Sequence, residues 1–390
     1  MTVVTGQRDT NNVTSTILAR DIRKEILLYD QDLTPLVVLS SQLGGGSVEC
    51  HNPKFEWYEE DRDTRRDTST TTGSTATQLT VGDATLWAEH DIWQNTVQGE
   101  VIRVVSVDSA TQVTVVRDLA GAGASTFASG DEYLRIGTAK QEGDTSVQSR
   151  SGNPTAKFNY TQIFEKTYSM TGTAQNTANY TAPHDWDFRA MRAMQEFKLD
   201  QEFAYWFGVK SLNTSGEHPR RTSQGVLPTI TTNVNDAGGT MTEAEWWSYY
   251  SAGFRYSNSQ KVKFGFAART PIDVVNGYPR GKLEVIQADQ DATYGLSIMK
   301  FRHPHGTVNL MTHNLFSDST STYSKYIVVL DMIGNGNTLV RRRYLQNRDT
   351  QIVENVQEQD RDGRKDRIFS ECGLELGLEK SHFVVKNITG

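Results

Sequence analysis

The 390 residues suffice for two or three hydrophobic cores, which excludes a peptide hormone, a disulfide miniprotein or a single small module. Hydrophobic residues make up 36% and charged residues 22%, with 31 Gly against 9 Pro, so much of the chain is predicted to be surface, loop or interface. A formal net charge of −7 argues against a protein built around neutralising phosphates, and the isolated Cys50 and Cys372 supply neither a zinc ribbon nor a redox pair, which suits a reducing compartment.

The opening stretch has no basic-then-apolar leader, and apolar runs such as 326–330 fall far short of the roughly 18 residues that span a bilayer, so no membrane partner is expected. Residues 1–52 are expected to form an arm with two short helices. Ser15 or Thr16 caps a stretch in which Ile17, Leu18, Ile22, Ile26 and Leu27 recur at helical spacing, and Thr34-Pro35 opens a second helix that Gly44-Gly45-Gly46 should end. Phe55 and Trp57 alternate on one strand face, as do Phe158, Tyr160, Gln162 and Phe164, and the two segments can pair as an antiparallel ribbon.

Between them, short alternating segments at 77–81, 100–107, 112–117 and 132–136 predict a small β-barrel or sandwich inserted at 74–140. Residues 187–207 then form the longest helical pattern, about 31 Å at 1.5 Å per residue. Phe188, Met191, Leu199, Phe203 and Trp206 share one face of it, while Met194, Phe197 and Tyr205 fall on another, so this helix needs two partners. Thr242-x-x-Glu245 is a capping box, and Thr270-Pro271 opens a further helix. Strands at 294–301, 307–310, 326–332 and 338–345 and a closing hairpin at 368–376 and 382–388 complete an α+β chain with a mixed sheet.

No catalytic constellation emerges. Gly277 to Lys282 resembles a phosphate loop, but its glycines are one residue too close and Leu283 stands where a hydroxyl is needed, so a turn is expected. His303, His305 and His313 lack an acidic or sulfur ligand nearby, and Pro304 marks a hairpin corner. Asp360-Arg361-Asp362-Gly363 mimics part of a calcium loop, yet Phe369 occupies the position of the bidentate carboxylate. Strand alternation sends Arg342 opposite to Arg341 and Arg343, so no three-residue basic patch follows. The densest charge is Glu59, Glu60, Asp61, Arg62 and Asp63 with Arg65, Arg66 and Asp67. Its mixed signs fit registration against a neighbouring protein better than an acid–base pair, although a merely solvated edge also fits.

The element order, carried by P-K-F-E-W-Y-E-E-D at 53–61, G-E-V-I-R-V-V-S-V at 99–107, the helix 187–207 ended by Gly208, and the terminal strands around Leu374 and His382, resembles the major capsid protein of tailed bacteriophages with the Hong Kong ninety-seven fold, in a branch with a β-domain inserted in the extended loop. The resemblance implies an extended loop at 53–73 and 141–167, a peripheral domain at 168–240 and 332–390 holding the spine helix, and an axial domain at 241–331. It implies self-assembly into hexamers and pentamers of an icosahedral head shell around double-stranded DNA, assembled in the host bacterial cytoplasm, with a portal, a separate scaffolding protein and a decoration protein as further partners. It implies neither enzymatic activity nor a cofactor. Phe55, Trp57, Glu59 to Asp63, Arg65 and Arg66 on the loop, and Met194, Phe197 and Tyr205 on the helix, are then expected at subunit interfaces. A glycan-binding or glycan-cleaving protein, or a decoration or tail protein, remains the alternative.

Overall fold

The computed structural model describes residues 34–42, 47–60, 64–73, 76–121, 123–143, 152–177, 185–256, 261–278, 286–287, 299–317, 322–334 and 336–389. The helix expected around 17–27 and the residues Asp61, Arg62 and Asp63 lie outside them. Two compact units emerge, residues 58–156 and the remainder of the chain.

In the larger unit a five-stranded sheet runs in the order Val48–Cys50, Val340–Leu345, Arg364–Leu376 and Gln162–Met170, with Gln351–Val353 also pairing to Arg364–Leu376. A seven-stranded mixed sheet has the order Val234–Gly239, Phe383–Ile388, Ile327–Leu330, Val262–Ala267, Gly306–Thr312, Met299–His303, Ile286–Gln287. Its inner strands are buried on both faces and accordingly carry continuous apolar runs, as in Ile327–Leu330. The helix Glu243–Phe254 opens with the expected capping box, Thr242 and Glu245 each bonding the other's backbone N–H. It buries Trp246 and Tyr250 against one side of this sheet.

The closing hairpin is corrected. Arg364–Leu376 and Phe383–Ile388 belong to different sheets, because Leu378 adopts a left-handed conformation (φ 52°) and a single 3-10 turn at Glu379–Ser381 redirects the chain. Glu379 fixes this corner by accepting the backbone N–H groups of Thr231 and Thr232 at 2.6 and 2.7 Å. The ribbon is likewise shorter than expected. Lys54–Glu59 pairs with Thr155–Tyr160, but the next segment, Gln162–Met170, turns into the five-stranded sheet, where Phe164 joins the core.

The smaller unit is a six-stranded barrel ordered Arg66–Ser69, Asp131–Thr138, Asp91–Asn95, Val101–Val107, Gln112–Val116, Gln78–Thr80, closed by a bridge between Ser69 and Val81. Trp87 and Trp93 stack at 3.9 Å in its centre, flanked by Ile102, Val104, Val113, Phe127 and Tyr133. The barrel starts earlier than residue 74, since Arg66–Ser69 is one of its staves despite lacking any apolar side chain. Its buried Ser69 hydroxyl bonds Thr80 O at 2.9 Å and helps seal the barrel.

Candidate assembly surfaces

The helix Asp185–Phe207 ends where Gly208 allows close backbone approach: a Cβ there would lie 2.4 Å from Ala204 O and 2.5 Å from Ser223 O. One side of the helix faces the five-stranded sheet. Phe197 and Tyr205, 1% and 0% exposed, pack with Phe164, Ile368, Cys372 and Leu374, and the Tyr205 hydroxyl donates to Cys372 Sγ at 3.3 Å. Burial, reinforced by Cys372, pushes that hydroxyl well above the ordinary tyrosine range. The expectation that Phe197 and Tyr205 face a neighbouring subunit is therefore corrected: the sheet is their partner. Met194 is half-buried against the same core. The unfilled side is the other one, where Met191 and Phe203 remain 47% and 45% exposed and Phe188 and Leu199 are half-buried. Trp206, assigned to that side from the sequence, is buried because the last turn of the helix is packed all round, by Phe266, His313 and Phe316.

A buried carboxylate at this turn fixes the arm helix Pro35–Gln42. Glu202 Oε1 and Oε2 accept the N–H groups of Leu36 and Val37 at 3.0 and 2.7 Å, the donors left over by a helix start, while Pro35 has none to satisfy. Trp206 Nε1 and His313 Nε2 converge on Glu202 Oε1 at 2.8 and 2.9 Å. Sequence reasoning missed this joint, because a glutamate inside a charged helix carries no sign that it is buried.

On the ribbon, Phe55 and Trp57 stack at 6.2 Å. Phe55 is buried in its own subunit, Trp57 and Glu59 are half-buried, and Tyr58 and Glu60 are exposed. The described residues of the charged run have different surroundings. Arg65 and Arg66 are exposed on the barrel, where Arg66 pairs with Glu132 at 2.9 Å, whereas Asp67 is a structural acceptor for the Trp87 indole at 2.8 Å.

The other motifs resolve simply. Arg342 turns inward to Asp349 and Ser370, while Arg341 and Arg343 both face Glu375 on the opposite side. His303 stacks on Trp247 at 4.7 Å beside His305 at the hairpin corner, whereas His313 lies in the Glu202 cluster, so the three are not brought together. Among the described residues no group of three His, Cys, Asp or Glu side chains is placed to hold a metal. A second missed cluster sits under Glu243–Phe254. Lys263 Nζ donates to Gly253 O at 2.7 Å and to Ser381 O, and burial lowers this amine to about 8, while burial raises the carboxyl of Asp331 to about 6 and lowers the imidazole of His382 to about 4.

A long helix laid on one sheet, a second mixed sheet and an anchored arm make the major capsid fold of tailed phages; in sequence, the barrel lies between the two ribbon strands. Over 98% of both chains the structure is similar to the capsid of the native GTA particle, with TM-score 0.51 and 7% identity. It is also similar to a chain of Mycobacterium phage Adephagia, with TM-score 0.45, 10% identity and 98% of both chains covered. The sequence is 27% identical over 257 residues to a major capsid protein of Pseudomonas phage PaMx41, an alignment covering 62% of this chain and 60% of that relative. The chain belongs to the SU10 major capsid protein family, whose model matches residues 3–389.

Proposed function

We propose that the protein self-assembles as hexamers and pentamers into the icosahedral head shell of a tailed phage, enclosing double-stranded DNA without reading its sequence, and acts structurally, not as an enzyme. The carrying observation is the helix side bearing Met191 and Phe203, which the described residues leave exposed although they pack the opposite side tightly. A neighbour's ribbon, with Trp57 and the 72% exposed Tyr58, is the occupant this reading assigns to it. In this reading residues up to 52 serve as the arm, the ribbon and barrel as the extended loop with its insert, the five-stranded sheet with the long helix as the peripheral domain, and most of the seven-stranded sheet as the axial domain. Assembly takes place in the host cytoplasm with a portal and a separate scaffolding protein, and a decoration protein binds the finished shell.

Electron microscopy of the purified protein tests this reading. Closed shells or five- and six-membered rings are expected, and a monodisperse monomer would overturn it. Met191→Ser with Phe203→Ser should leave subunit melting nearly unchanged while abolishing shells.

A further inference from the structure

At the foot of the ribbon two lysines lie over one ring, with a third beside it in the sequence. Lys54 Nζ lies 4.4 Å and Lys210 Nζ 3.8 Å from the centroid of Phe158, and Lys210 also donates to Phe158 O at 3.3 Å. Lys157, next to Phe158 on its strand, is exposed. Burial together with the charges of Lys157 and Lys54 depresses the Lys210 amine, the behaviour of a cation held among cations. Lys54 has Glu56 as its counter-ion, but among the described residues no carboxylate pairs with Lys157 or Lys210. This concentration of positive charge sits on a chain whose net charge is −7.

The complementary surface lies elsewhere on the same subunit. The turn 354–362, between strands Gln351–Val353 and Arg364–Leu376, exposes Glu354, Glu358, Asp360 and Asp362 against a single base, Arg361. Glu354 is engaged by Arg364 at 3.4 Å, whereas Glu358 and Asp360 have no ionic partner among the described residues.

We propose that the Lys54–Lys157–Lys210 cluster receives the 354–362 turn of a second copy of this chain. This rests on the shell reading above and names the contact that orders it. Two different patches of opposite sign on one subunit make a heterologous, head-to-tail contact, and such contacts generate rings when the rotation closes. Opposed charges at a subunit boundary fix register and exclude misaligned neighbours. DNA is the weaker candidate for the same lysines. With Lys54 neutralised by Glu56, the patch offers about two free charges, too few to track a phosphate backbone that needs several contacts for useful affinity.

The test is a charge exchange. Lys157→Glu with Lys210→Glu should keep the melting temperature of the unassembled subunit but raise the critical concentration for shell formation by about tenfold, or about 1.4 kcal/mol per subunit. Glu358→Lys with Asp360→Lys should do the same alone, and the four changes combined should restore assembly. If the lysine pair fails to fold, Lys157→Glu alone and its rescue by Asp360→Lys carry the test, with an expected rise of about threefold. Normal assembly of the reversed variants, or a loss that the acidic-turn reversal does not rescue, would overturn the inference. So would normal empty shells that only retain less DNA, which would identify the anion as nucleic acid. Failure of the unmodified protein to form any shell would overturn the shell reading and this contact with it, whereas normal shells from every variant would remove this contact alone.

Discussion

The barrel and the larger unit use buried polar groups in opposite ways. In the barrel they are joined over short stretches of chain: Glu100 to Arg117, 17 residues apart at 2.7 Å, and Asn95 to Asp131, 36 apart at 2.8 Å. In the larger unit they bind distant segments together, Glu202 to Leu36 over 166 residues, Glu202 to His313 over 111, and Lys263 to Ser381 over 118. A module whose internal bonds are local can be inserted into a loop without depending on its host. A body whose joints link its arm, long helix and both sheets is one cooperative object, and a fault at one joint is felt throughout.

The largest effect is expected at the barrel core. Trp93→Ala should destabilise the barrel by about 4 kcal/mol, the cost of emptying a large aromatic site. Unfolding followed by near-ultraviolet circular dichroism should show an early barrel transition with the larger unit unchanged; a shift of both transitions together would refute independence. Next in size, Glu202→Ala strands the Leu36 and Val37 amides and leaves the Trp206 indole with His313 alone, at a cost of about 3 kcal/mol that chemical denaturation should locate in the larger unit only.

The Lys263 cluster gives the larger unit a stability that varies with pH. Its folded value near 8 lies below the unfolded value of 10.5, so between these limits the unfolded chain holds the extra proton and stability rises with pH. Below that window, Asp331, raised to about 6, makes stability fall as pH climbs through 4 to 6, while His382, lowered to about 4, makes it rise over nearly the same range, so the two oppose each other. Denaturant titrations should show a gain on the order of 2 kcal/mol between pH 8 and 10.5 in the larger unit, absent from Lys263→Met. The smallest effect belongs to the exposed barrel surface. Arg65→Glu with Arg66→Glu should change subunit stability by less than about 1 kcal/mol, and calorimetry beside an assembly assay would show whether these arginines matter only between subunits.

What the sequence made legible was whatever follows from local periodicity: the long helix, the Thr242 capping box, the paired ribbon strands and most barrel staves. Asp91–Asn95 escaped because its flanking Asp and Asn read as turn residues, although both are buried and bonded within the barrel. Arg66–Ser69 escaped because a polar stave closes the barrel through a hydroxyl instead of an apolar side chain. Helical periodicity showed that Asp185–Phe207 has two apolar sides, but which of them meets the sheet depends on long-range strand order, which periodicity does not encode. Glu202, Lys263 and Asp331 were invisible for a related reason, since each is charged and its burial is imposed by segments far away in sequence.

The corner at Leu378 has a kinetic consequence. Because the strands on either side of it enter different sheets, Arg364–Leu376 must pair with Gln162–Met170 and Val340–Leu345, while Phe383–Ile388 must pair with Val234–Gly239 and Ile327–Leu330. Neither sheet can be completed until these late-synthesised strands have left the ribosome, whereas the barrel has all its staves by residue 138. During synthesis the barrel is therefore expected to fold first and the larger unit last, an order that limited proteolysis of chains truncated after residue 143 would check.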